Sequence, residues 1–151
     1  MTSSARRICT AITLLALVGV TVSSIALYHH YGTSATRYCD FGQNFNCDIV
    51  NRSTYSLVLG IPVALLGLIG YLTLAVLASF YRSKMETPAM LLIGSTLGLG
   101  FALYLTYIEA YVLGVWCVLC LSSLTAIVLI TILSSVLVAQ WLRRVDSAAS
   151  T

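Results

Sequence analysis

The chain has 151 residues, of which 59% are hydrophobic and only 9% charged, with a formal net charge of +3 and a mean hydropathy of +0.95. So apolar a composition excludes an ordinary water-soluble domain and reads as an integral membrane protein. The small positive charge is accounted for by where the basic residues lie, and it gives no reason to expect nucleic acid.

Four apolar runs follow one another, over residues 8–28, 57–81, 88–112 and 115–142. Each reaches the roughly 20 residues that a helix needs to cross a hydrocarbon core of about 30 Å. With no water there to satisfy backbone polar groups, helices are the expected solution. The expected fold is an all-α integral membrane protein with a single domain over residues 1–151. Its architecture is a four-transmembrane-helix bundle with a cysteine-containing outer loop between the first and second helices.

The first run is preceded by Arg6 and Arg7 and carries small residues such as Ser23 and Ala26 toward its end, as in a signal peptide. Its apolar stretch is longer than the roughly 7 to 15 residues of a signal core, so an uncleaved helix is expected. Cys9 sits at its inner end and reads as a packing residue. His29 and His30 close it; adjacent histidines point to different faces of a helix and no fixed Cys/His spacing surrounds them, so no metal is expected.

Six of the eight basic residues, Arg6, Arg7, Arg82, Lys84, Arg143 and Arg144, flank one side of the runs, leaving Arg37 and Arg52 on the other. Cytoplasmic flanks retain Lys and Arg, which puts both termini in the cytoplasm. The loop over residues 31–55 and the turn around Gly114 then face outward, together with Cys39, Cys47, Cys117 and Cys120. Disulfides persist in such a compartment.

In that outer loop Cys39 and Cys47 are separated by seven residues rich in turn formers. A disulfide between them would stabilise the loop by roughly 2 to 3 kcal/mol if purely structural, or would serve as a reducible relay on a mobile arm. In the second run Pro62 is expected to bend the outer end of the helix, and Gly60, Ala64 and Gly67 put small residues on one face. Gly94 and Gly98 do the same in the third run, for close helix packing. Glu109 is the acid well inside an apolar segment, where burial is costly and a role near a site, including proton handling, is a reasonable expectation. Tyr104, Tyr107 and Tyr111 follow at helical spacing, as an interfacial belt or a pocket lining.

The fourth run opens on Cys117-Val118-Leu119-Cys120. On a helix these thiols share one face, about 4.5 Å apart along the axis, and unpaired N–H groups in the first turns favour thiolates. Cys117 is expected nearer the aqueous surface, able to meet another thiol, and Cys120 deeper, toward whatever lies between the helices. Two outward cysteine pairs weigh against a merely structural role.

Together, Cys39-Asp40, Cys47, Ser53, Gly60-Ile61-Pro62-Val63-Ala64, Tyr104-Leu105-Thr106-Tyr107-Ile108-Glu109 and Cys117-Val118-Leu119-Cys120 resemble the vitamin K epoxide reductase family in its prokaryotic form. The resemblance implies a four-helix bundle around a quinone, with Cys39 and Cys47 as a shuttle pair. It implies further that Cys117 exchanges with that pair, that Cys120 reacts with the quinone, and that Ser53 lies beside the quinone. Glu109, Tyr107 and Tyr111 are further candidates for the quinone pocket. The animal enzymes carry Thr-Tyr-Ala after the second cysteine of the motif; Leu121-Ser122-Ser123 stands here, so anticoagulant binding is not implied. Many bacterial members continue into a thioredoxin-like domain; with this chain ending at Thr151, a separate thioredoxin-fold, DsbA-like partner outside the cytoplasmic membrane is expected to supply the thiols.

The expected activity is quinone-coupled thiol oxidation in support of disulfide formation, with ubiquinone, menaquinone or vitamin K as acceptor. Vitamin K quinone or epoxide reduction is chemically related. The rivals are a DsbB-type oxidase, whose second cysteine pair lies in a long outer loop, a disulfide-stapled membrane scaffold, and a thiolate metal carrier.

Overall fold

Leu59 and Gly60 interrupt what reads in the sequence as one long apolar helix. Both adopt positive φ, 53° and 81°, the pairing that a two-residue hairpin turn needs. The flanking residues pair as short antiparallel strands, β1 (Leu57–Val58) and β2 (Ile61–Pro62), with Leu57 opposite Pro62 and Val58 opposite Ile61. Proline carries no N–H for a helix interior but costs nothing just before the first turn. Pro62 is accordingly the N-cap of the following helix, where the sequence suggested a kink within it.

The computed structural model describes residues 3–32, 46–80 and 86–149; Arg37, Cys39, Arg82 and Lys84 lie outside them. The helices are α1 (Ser3–Tyr31), α2 (Cys47–Arg52), α3 (Val63–Ser79), α4 (Glu86–Ile108), which runs on into a π-helical turn over Glu109–Leu113, and α5 (Val118–Ala149). Among the described residues three spans, α1, α4 with its π turn, and α5, are long and apolar enough to cross a membrane. The helix expected over 57–81 is shorter: α3 has 17 residues, a rise of about 26 Å. The outer loop also differs from an irregular segment. It contains α2, whose N-cap Asn46 accepts a hydrogen bond from the Ile49 N–H on Oδ1, 3.1 Å.

The long helices form a ring in which α1 packs on α3 and α5, and α4 on α3 and α5. Gln140 Nε2 donates to Ser4 Oγ at 3.4 Å, so the start of α1 and the last turns of α5 share one end, and the segments carrying Cys47, Cys117 and Cys120 occupy the other. The core between them is built from Ile12, Ala16, Leu74, Leu91, Ile130 and Leu137, all buried. Small residues let the backbones approach. A Cβ on Gly19 would collide with the Tyr71 ring, and one on Gly98 would lie 3.2 Å from Ile127 Cδ1. Tyr71 is tied across the bundle as well, its hydroxyl 2.8 Å from both the carbonyl and the hydroxyl oxygen of Ser123. Large apolar side chains such as Leu14, Ile69, Leu97 and Ile132 are exposed on the outside, which suits a hydrocarbon solvent.

Candidate active site

Two backbone segments meet at the cysteine end. The Asn46 N–H donates to the Trp116 carbonyl at 3.1 Å, which sets the start of α2 beside the start of α5 and brings the next residues of each, Cys47 and Cys117, together. Cys47, Val50 and Cys117 form one buried cluster, with Leu113, Val115, Leu119 and Cys120 packed around it. Cys47 is disulfide-bonded, and its partner falls outside the described residues. Cys117 and Cys120 are free thiols.

Helix α5 starts at Val118, and Cys117 caps it. The Cys117 carbonyl accepts from the Leu121 N–H at 3.0 Å, and its Sγ accepts from the Cys120 N–H at 3.4 Å. The sulfur thus takes the place that a serine or aspartate oxygen takes at other helix starts. Hydrogen bonds to this sulfur, first from the Cys120 thiol and then from the N–H groups of Cys120 and Leu119, hold the Cys117 thiol below its ordinary pKa. Burial and the Glu109 carboxylate push the other way and are outweighed.

The two thiols face different surroundings, though not as their depth in the sequence suggested. Cys117, expected nearer water, is fully buried against Cys47, whereas Cys120 is partly accessible and opens onto a cavity of about 670 Å³. The cavity lies between the helices and is mostly apolar, with His30, Asn51, Ser53, Ser56, Glu109 and Cys120 among its polar lining. Its size is ordinary for a small-molecule site.

Ser53 follows α2 as its C-cap and does not start a long helix; its Oγ donates to the Val50 carbonyl at 2.8 Å, and it lines the cavity. Glu109 is 1% exposed. The π turn that begins at this residue ends on Gly114 at φ 64°, a left-handed position that suits glycine. The turn directs Glu109 Oε2 to the Cys117 N–H, 3.1 Å away, while Oε1 has no hydrogen-bond partner among the described residues. A carboxylate oxygen of Glu109 and the two sulfurs of Cys117 and Cys120 all lie within 4.8 Å of one another.

Tyr107 and Tyr111 are not in this constellation. They stack on each other, ring centroids 4.9 Å apart, on the exposed outer surface, as interfacial aromatics do, and neither lines the cavity. Tyr55, Tyr71 and Phe101 supply its aromatic wall instead.

Two residues with no assigned part in the sequence reading of the site hold α2 in place. The Nδ1–H of His30 donates to the Asn51 carbonyl at 2.6 Å, and Asn51 Nδ2 donates to the Cys47 carbonyl at 3.0 Å. Asn46 ahead of the cysteine was the available sequence sign of a helix start here; the partnership of His30 with a residue 21 positions away had none.

The family model for the vitamin K epoxide reductase family matches residues 10–135. Among curated proteins none matches the chain.

Proposed function

The chain belongs to the vitamin K epoxide reductase family, a family of membrane oxidoreductases that link thiols to quinones, and we propose that within it this protein oxidises the thiols of a separate thioredoxin-fold partner and passes the electrons to a membrane quinone. The observation that carries the reading is the division of the two motif cysteines, Cys117 against Cys47 in a buried cluster and Cys120 on the cavity.

The reduced partner opens the Cys39–Cys47 disulfide and leaves with a disulfide of its own. The Cys47 thiolate attacks Sγ of Cys117 in the Cys117–Cys120 disulfide, forming a Cys47–Cys117 bond and releasing the Cys120 thiolate. Cys39 then displaces Cys117 from Cys47, which restores the loop disulfide and leaves two reduced thiols at the head of α5. Those thiols give two electrons and two protons to the quinone, and their disulfide re-forms. Exchange of this kind needs a thiolate close to a disulfide sulfur, which the shared cluster favours, and the lowered pKa of Cys117 makes it the better leaving group when Cys39 displaces it. Glu109, with a carboxylate oxygen within 4.8 Å of both sulfurs, takes the proton from Cys120. The quinone ring occupies the cavity, with Ser53 on its polar side and apolar side chains along the rest; ubiquinone, menaquinone and vitamin K share that chemistry. The protein resides in a prokaryotic cytoplasmic membrane with both termini inside and the cysteines outward, in keeping with Arg6, Arg7, Arg143 and Arg144 at the opposite end of the bundle from the site.

Anaerobic addition of a quinone to the reduced chain in detergent tests this. The expected result is quinol formation with loss of thiols in pairs, abolished in Cys120→Ser. Quinol formation unaffected by Cys120→Ser, or no quinol at all, overturns it.

A further inference from the structure

We propose that the reduced head of α5 is a binding site for a soft divalent cation, Zn²⁺ or Cd²⁺, held by the sulfurs of Cys117 and Cys120 and by a carboxylate oxygen of Glu109. Three donors of the kinds that zinc-type ions select converge here, two thiols and a carboxylate, with ligand atoms within 4.8 Å of one another. In a tetrahedral site with metal–sulfur distances of 2.3 Å, donors stand roughly 3.8 Å apart, so the three need to close by about an ångström or less. That is within reach of small side-chain rotations.

Glu109 is what makes this more than a pair of neighbouring thiols. It is 1% exposed, yet among the described residues Oε1 has no hydrogen-bond partner, a costly arrangement for a buried polar atom. Its other oxygen is fixed by the Cys117 N–H at 3.1 Å, the sort of supporting hydrogen bond that ligating carboxylates carry in metal sites. One oxygen orients the group and the other is left to bind. Because Cys120 and Glu109 both border the cavity, a fourth ligand can be water.

Binding is a proton-for-metal exchange without change of oxidation state: the two thiols lose their protons and the cation takes their place. A Cys117–Cys120 disulfide has no thiolate to offer, so the site exists only in the reduced protein. The cation is therefore a redox-gated inhibitor, holding the dithiol reduced and unavailable for exchange, and not a resident cofactor. The site requires only these three side chains, so its test is independent of whether a quinone is the acceptor.

The full chain carrying Cys39→Ser and Cys47→Ser, which removes the loop pair as a competing ligand, is reduced anaerobically with a phosphine, freed of reductant and titrated with Cd²⁺. Thiolate-to-cadmium charge-transfer absorption reports the bound metal. One Cd²⁺ per chain with absorption for two thiolates is expected, with none after oxidation to the Cys117–Cys120 disulfide. Glu109→Gln is expected to weaken binding more than tenfold, on the scale by which even supporting groups affect metal affinity, and Cys120→Ser to remove the two-thiolate band. The same titration on the unmutated chain, reduced at the α5 pair, guards against misfolding of a variant: Cd²⁺ should protect Cys117 and Cys120 from alkylation. Equal affinity in Glu109→Gln and the parent, absorption from one thiolate only, or no protection in the unmutated chain overturns the proposal.

Discussion

The two ends of the bundle are built on opposite principles. At the end where the chain begins and α5 finishes, Ala5, Ile12, Leu91, Ile130 and Leu137 are almost completely buried and the helices are joined by apolar contact, the way stable helical bundles are made. At the cysteine end α4 unwinds into a π turn, the chain turns at a left-handed glycine, a cavity that runs between α3 and α4 as far as Leu77 and Met90 reaches Cys120, and a carboxyl group is buried with one oxygen unpaired among the described residues. Irregular backbone at the edge of an apolar bundle is tolerated where it lines a cavity or meets other protein. Under the proposed function stability and chemistry are housed apart, so that changes in the tightly packed end should leave the cysteine end largely alone.

Glu109→Gln tests the chemical end with the largest expected effect. Glutamine retains an oxygen to accept from the Cys117 N–H but cannot take a proton, so quinone reduction is predicted to fall about 100-fold, the lower range for loss of a general base, while the thermal midpoint stays within a few degrees. A variant that loses its fold and its activity together would erase the distinction between the ends.

Leu137→Ala tests the packed face. Leu137 is 1% exposed, and truncating a buried leucine to alanine costs about 2–5 kcal/mol. Unfolding measured in detergent should shift accordingly, whereas the folded fraction should retain its rate of quinone reduction per molecule. Loss of specific activity with unchanged stability would show that the packed helices communicate with the site.

The smallest effect concerns pH. The Cys117 thiol lies below its ordinary pKa, chiefly through the Cys120 thiol. Since the thiolate is the reactive form, its alkylation by a small reagent, followed residue by residue by mass spectrometry, should be half-maximal below the usual value of about 8.5 and level off as pH rises further. The Glu109 carboxylate opposes that thiolate, so Glu109→Gln should move the profile to still lower pH. A profile at or above the ordinary thiol range would remove the activation argument.

Much of the architecture was legible in the residues. The apolar runs located the long helices, the cysteine spacing named Cys47, Cys117 and Cys120, which the fold brings together, and an acid inside an apolar segment singled out Glu109. What failed did so for local reasons. The stretch from Leu57 to Pro62 is as apolar as the helix that follows, and hydrophobicity cannot reveal that Leu59 joins Gly60 at positive φ. Tyr107 and Tyr111 were candidates through spacing alone, which places residues on a face without saying which face turns inward. The hydrogen bonds of His30 with Asn51 and of Asn46 with Trp116 join distant parts of the chain and leave no periodic trace. Those contacts decide which cysteine meets Cys47, and sequence spacing had put Cys117 nearer water instead of in that buried cluster.

The central claim is that Cys117 exchanges with Cys47 and Cys120 serves the cavity. Its most direct measurement compares two double variants, Cys39→Ser/Cys120→Ser and Cys39→Ser/Cys117→Ser, after mild oxidation in membranes and identification of disulfide-linked tryptic peptides. The account predicts a Cys47–Cys117 bond in the first and little or no Cys47–Cys120 bond in the second. Equal yields from both, or a Cys47–Cys120 bond alone, would contradict it.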